Sequence, residues 1–222
     1  NFYKKALQSE IKPIIVSELY LAPGSRFDKP NRREDELNYY HLLVLVKNDQ
    51  GYRNLCELIT ASFLEGFYRK PRIDKELLEK YKDGLLVMSS CIQGEIPCQL
   101  LRGHEDKARE AARWYREVFR DNFYIELQNH GLAEQKQVLP LLLDLAKDLD
   151  IPLAASNDVH YLTQEDADAR EILICLQTTN VISDADRPMK KETEQLYFKS
   201  SEEMAALFSS IPGCLENTFD IA

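Results

Sequence analysis

Two residues of this chain have the type and spacing to do chemistry together. Asp158 and His160 follow the apolar run Ile151–Ala155 within Leu153-Ala154-Ala155-Ser156-Asn157-Asp158-Val159-His160. In an extended chain, side chains two apart point to the same side, so a carboxylate and an imidazole can converge here. A hard oxygen with a borderline nitrogen suits Zn, Mn or Fe. The end of a buried strand is also where α/β proteins place chemistry. The bland alternative is an Asn-Asp turn whose imidazole pairs with the backbone.

Other chelating residues lie at comparable places. Glu18 is an acid in the β-rich run Ile11–Tyr20, and an edge-strand acid facing water would look the same. His41 opens the apolar run Tyr40–Val46. If these two runs pair as a long hairpin, Glu18 and His41 fall at the same level on one rim. A half-buried histidine bonded to backbone is the alternative. Cys91 closes the run Gly84–Cys91, as a soft ligand or as core filler. His130 follows the run Asn122–Gln128, whereas His104 opens a polar helix and is expected at the surface. The loop from Pro23 to Asn38 carries Arg26, Lys29, Arg32 and Arg33, as phosphate contacts or as a solvated surface.

The elements that must position these residues alternate strand and helix. Helical spacing marks Gly51–Ile59, where Cys56 reads as a small apolar residue, then Asp74–Tyr81, His104–Phe119, Ala133–Leu149, Gln164–Leu176, Glu202–Phe208 and Cys214–Ile221. Such alternation predicts a largely parallel sheet or barrel. Chelating residues repeatedly at strand ends predict one rim site.

At 222 residues the chain is long enough for one domain with a real core. A net charge of −9 argues against nucleic-acid binding by bulk attraction. It leaves room for a local basic groove or a metal-mediated phosphate site. The five cysteines are scattered, which predicts free thiols in a reducing, cytoplasmic compartment. No run approaches the roughly 20 apolar residues that span a membrane, and no signal peptide is visible. Helical patterns without a cap at the start or a stop at the end predict a segment of a longer chain.

Several stretches, in this order, carry a resemblance. They are Ile11–Tyr20 with Ala22-Pro23-Gly24, His41-Leu42-Leu43 with Gly51-Tyr52-Arg53-Asn54-Leu55, and Ser90-Cys91-Ile92-Gln93-Gly94-Glu95-Ile96-Pro97. Glu126-Leu127-Gln128-Asn129-His130-Gly131 and Asn157-Asp158-Val159-His160-Tyr161 with Glu165-Asp166-Ala167 follow. Together they resemble the polymerase-and-histidinol-phosphatase (PHP) domain at the N-terminus of the bacterial replicative DNA polymerase III alpha subunit.

The resemblance implies an α/β fold, a distorted (β/α)7-type PHP barrel lacking its first strands, with a hairpin near the N-terminus. It implies a partial PHP domain over residues 1–200 and, over 201–222, the helical start of a link to the polymerase core. It implies divalent metal ions, Zn, Mn or Fe, up to three in an intact domain and fewer here. Glu18, His41, Cys91, Asp158 and His160 match ligands, and His130 matches a recurrent His-Gly near the site. No His-x-His strand or Thr-Asp-His turn is present, and Val16 and Arg170 replace an expected glycine and histidine.

For an intact domain the resemblance implies metal-assisted phosphodiester hydrolysis, a 3′–5′ proofreading exonuclease. A non-catalytic scaffold binding a separate proofreading subunit and a stand-alone PHP phosphatase are the other readings. The implied partners are DNA, the rest of the polymerase chain, the separate exonuclease subunit and the sliding clamp. The polymerase carboxylates would lie beyond Ala222, so nucleotidyl transfer is not expected here, and the segment alone is expected to be inactive.

Overall fold

The computed structural model describes residues 2–29, 38–187, 190 and 192–222. Arg32 and Arg33 lie outside them. Helix α1 (Phe2–Gln8) precedes strands β1 (Val16–Leu21) and β2 (Tyr40–Val46). Then come α2 (Asp49–Leu64), β3 (Arg72–Ile73), α3 (Lys75–Lys80), β4 (Leu85–Met88), α4 (Glu95–Leu101) and α5 (Glu105–Phe119). The chain continues through β5 (Phe123–Leu127), α6 (Ala133–Leu149), β6 (Leu153–Ala155), α7 (Ala167–Thr178), α8 (Ser201–Phe208) and α9 (Glu216–Ile221).

The strands form one sheet in the order β3-β1-β2-β4-β5-β6. Only the β1–β2 and β2–β4 pairings are antiparallel; β1–β3, β4–β5 and β5–β6 are parallel. One reversed strand therefore sits among five that run together. The architecture is a mixed α/β sheet compatible with the expected barrel, and among the described residues it does not close. The expected hairpin is present, with β1 beginning at Val16 rather than Ile11.

Strand alternation gives the sheet two unlike faces. Leu19, Leu21, Leu42, Val44, Leu85, Val87, Phe123, Ile125 and Leu127 belong to the large core, together with residues of α2, α3, α5 and α6. On the other face a small cluster of Leu45, Leu86, Met88 and Ala154 is joined by Leu43, Tyr124 and Ile221. Register places Glu18 and Tyr20 of β1, His41 of β2 and Glu126 of β5 on this second face.

Local chemistry fixes the helix starts. The Asn48 side chain accepts from Gly51 N at 3.0 Å, and that of Asp74 from Leu77 N at 3.0 Å. Each such cap is worth about 1 kcal/mol. Ser200 and Glu203 form a reciprocal capping box at α8. A Cβ on Gly51 would lie 1.9 Å from Gly84 O, so only glycine lets α2 meet the turn before β4. The C-terminal segment packs in the same core through Phe208 and Cys214. It covers the β6 edge, because Ala155 N donates to Cys214 O and Asn217 Nδ2 to Leu153 O.

Three sequence readings are corrected here. Arg26 is not a solvated loop cation. It is 8% exposed, and its guanidinium meets Glu65 at 2.7 Å and Asp74 at 3.1 Å. Cys56 is exposed, because α2 buries Gly51, Asn54, Leu55, Leu58 and Ser62 instead. Helix α4 and strand β3 were not predicted. Both are short, and β3 is held through the fully buried Arg72, whose guanidinium donates to the carbonyls of Gly66, Arg26 and Asp28.

Candidate metal centre

The β1–β2 register builds the first part of the site. Glu18 stands opposite Leu43 and His41 opposite Tyr20, so the expected equal level is off by two residues. The two side chains still meet, because diagonal neighbours on one face of an antiparallel pair are within reach of long side chains. Glu18 Oε1 lies 3.3 Å from His41 Nδ1. The His41 ring is stacked against Tyr39, with centroids 6.0 Å apart, and Tyr20 meets it edge-on.

Cys91 arrives from the turn after β4. Ser90 is in the left-handed region (φ 66°), Gly94 N donates to Cys91 O at 2.8 Å, and His41 N donates to Gln93 O at 3.0 Å. A Cβ at Gly94 would sit 2.0 Å from Ser89 O, so the turn demands glycine there. Cys91 Sγ consequently lies 3.6 Å from His41 Nδ1. A carboxylate oxygen, an imidazole nitrogen and a thiol sulfur from Glu18, His41 and Cys91 all lie within 4.8 Å of one another.

The electrostatics of this corner favour positive charge. Burial opposes the His41 imidazolium, but hydrogen bonding with Cys91 and Glu18 outweighs it and pushes the pKa up to about 9. The same bond to His41 holds the Glu18 carboxyl below its ordinary value, with His160 adding to the effect.

Asp158 and His160 face this corner without joining the close trio. With Glu18, His41 and Cys91 they line one groove, together with His130, Gln128 and Arg170. Contrary to expectation, the pair does not stand on extended strand backbone. Strand β6 stops at Ala155, and Asp158 is left-handed (φ 43°), so a turn rather than pleat alternation brings the two side chains together. His160 Nδ1 is 2.8 Å from Asp158 O and 3.7 Å from Asp158 Oδ1. His104 is exposed at the α5 start, as expected, and pairs with Gln99.

Sequence reasoning missed Glu126. It is 4% exposed on β5; Gln128 Nε2 and the Ser156 hydroxyl donate to Oε1, and Oε2 has no partner among the described residues. Burial, then the nearby charges of Asp158 and Glu18, raise its pKa. The signal was an acid alternating into an apolar strand, the same signal that marked Glu18. An orphaned buried carboxylate oxygen and a mixed O, N and S donor set are what a divalent metal site presents. The residues therefore fit such an ion.

The PHP domain family model matches residues 1–130. The chain is 48% identical over 223 residues to DNA polymerase III subunit alpha of Treponema pallidum, covering 100% of this chain and 19% of that protein. It is 46% identical over 224 residues to the same subunit of Borreliella burgdorferi, covering 100% of this chain and 19% of that protein. Against the Deinococcus radiodurans subunit it is 42% identical over 206 residues, covering 92% of this chain and 15% of that protein. The chain spans 15–19% of the length of these curated relatives. Among the described residues no helix is long and apolar enough to cross a membrane.

Proposed function

This chain belongs to the PHP domain family, and from that premise we propose that it is the PHP region of a bacterial DNA polymerase III subunit alpha. In this reading it serves DNA replication as a metal-dependent 3′–5′ exonuclease. The observation that carries the reading is the convergence of Glu18, His41 and Cys91, with Asp158 and His160 across the same groove. The parent protein is a DNA-directed DNA polymerase, working in the cytoplasm with DNA and the remainder of its own chain. Residues 201–222 begin the link to its polymerase core.

Glu18, His41 and Cys91 would hold a cation at the strand corner, and Asp158 and His160 from the facing turn. Their donors suit Zn, Mn or Fe. A bound cation supplies Lewis acidity for phosphodiester hydrolysis and acidifies a water. The chain's own residues orient and balance charge. Tyr39 and Tyr20 fix the His41 ring, which would bind the cation as neutral imidazole. Arg170 and Lys190, which line the groove, would meet the phosphate charge of the DNA strand.

The test is Asp158→Asn in the full polymerase chain, which keeps shape and removes the charge. Metal-dependent exonuclease activity is expected to fall at least about a hundredfold, a loss of several kcal/mol of transition-state stabilisation. Nucleotide incorporation is expected to change little. Unchanged exonuclease activity in a variant that has lost its metal would overturn the hydrolytic role.

A further inference from the structure

We propose that His130 is a positioning residue rather than a ligand: through the Asn157 carbonyl it sets the turn that presents Asp158 and His160. The inference rests on the reading of the groove as a metal site.

The hydrogen bonds determine the His130 tautomer. His130 is 2% exposed, between β5 and α6. Its backbone N–H lies 2.7 Å from Gln135 Oε1, which fixes the orientation of that amide. Gln135 Nε2 then donates to His130 Nδ1 at 2.9 Å. With Nδ1 accepting, a neutral imidazole carries its proton on Nε2. That nitrogen lies 2.9 Å from Asn157 O, which can only accept. Both ring nitrogens are committed within the protein, and neither is left to coordinate. Burial also holds the imidazole below its usual pKa, consistent with a neutral ring.

The turn it holds needs holding. A non-glycine residue in the left-handed region, as Asp158 is, is strained and persists only where its surroundings over-determine it. Asn157 Nδ2 also donates to Tyr197 O, and Lys199 Nζ donates to Asn157 Oδ1 at 3.2 Å. His160 N donates to Leu196 O at 2.8 Å. Thr193 Oγ1 donates to His130 O at 2.7 Å, which closes the circuit. Every polar side-chain group of Asn157, and its carbonyl, is thus engaged. Partners one layer behind a ligand set its orientation, and their removal typically weakens metal binding ten- to a hundredfold.

The amide substitutions separate this role from general packing. In His130→Gln the Nε2 can donate where the imidazole Nε2 does. In His130→Asn the amide takes the place of Nδ1 and does not reach Asn157. Zn2+ affinity is measured by chelator competition in the full chain, with the absorption spectrum of the Co2+ form, for wild type, both variants and Asp158→Asn. Asp158→Asn and His130→Asn are expected to weaken Zn2+ about tenfold or more, and His130→Gln to stay within about threefold of wild type. The metal-free melting temperatures of the two His130 variants are expected to match. Equal affinities for His130→Gln and His130→Asn overturn the inference while leaving the metal site standing. An unchanged affinity in Asp158→Asn removes the turn from the metal site, and the inference with it.

Discussion

The two halves of the groove are held by different physics. Glu18 and His41 stand on paired strands, and their separation follows from the β1–β2 register. A slip of one residue in either strand would put the two side chains on opposite faces. Asp158 and His160 stand on irregular backbone, held through Asn157 by the side chains of His130 and Lys199, with Thr193 bonded to the His130 carbonyl behind them. The first half is as rigid as the sheet. The second is as rigid as a few hydrogen bonds, some to residues more than 30 positions away. Perturbing a side chain should therefore act differently in the two halves.

The largest effect is expected in the strand half. His41→Ala removes the nitrogen at which Glu18 and Cys91 converge. Zn2+ affinity in the full chain, read by chelator competition, is expected to fall by more than the roughly tenfold to hundredfold typical of supporting residues. A smaller loss than that of His130→Asn would reverse the ranking of the two halves.

A smaller effect is expected in the turn half. Asn157→Ala keeps the carbonyl that His130 meets but frees Tyr197 O and Lys199 from the turn. Affinity is expected to fall about tenfold. The absorption of the Co2+ form that arises from Cys91 should persist, because the strand corner is untouched. Loss of that band would show the two halves to be one unit.

The legibility of the sequence follows the same division. Glu18, His41 and Cys91 could be read because each stands in or just after an apolar run, where a chelator breaks the pattern, and side chains along a strand alternate between its faces. The sheet face of Glu18 and His41 follows from that alternation, and only the two-residue stagger of the register was misjudged. Asp158 and His160 were found as residues but not as geometry. A left-handed aspartate leaves no mark in residue type, and the partners of Asn157 are distant in sequence. Arg26 was misread for a related reason. A cation between Pro-Gly and Lys-Pro breakers looks solvated until Asp74 and Glu65 arrive from other elements. Helix α4 begins in a cysteine-glycine turn and contains Pro97, so its periodicity is too short to register.

The smallest expected effect concerns Glu126, which lies between the halves. Burial raises its folded pKa, so ionisation is disfavoured in the folded state. A group shifted this way contributes stability below its unfolded pKa and loses it as pH rises through the folded one. Glu126→Gln removes the charge and keeps an acceptor for Ser156. Its melting temperature in metal-free buffer is expected to exceed that of wild type at pH 8, with the gain vanishing towards pH 4. An equal gain at both pH values would mean that the carboxyl is not strained by ionisation.

The central claim is that Glu18, His41 and Cys91 hold one cation together. X-ray absorption at the zinc edge of the Zn2+-loaded full chain tests it most directly. The account predicts a sulfur shell at about 2.3 Å beside nitrogen and oxygen donors, lost in Cys91→Ser. A first shell with no sulfur in the wild-type protein, or one unaltered by Cys91→Ser, would contradict it.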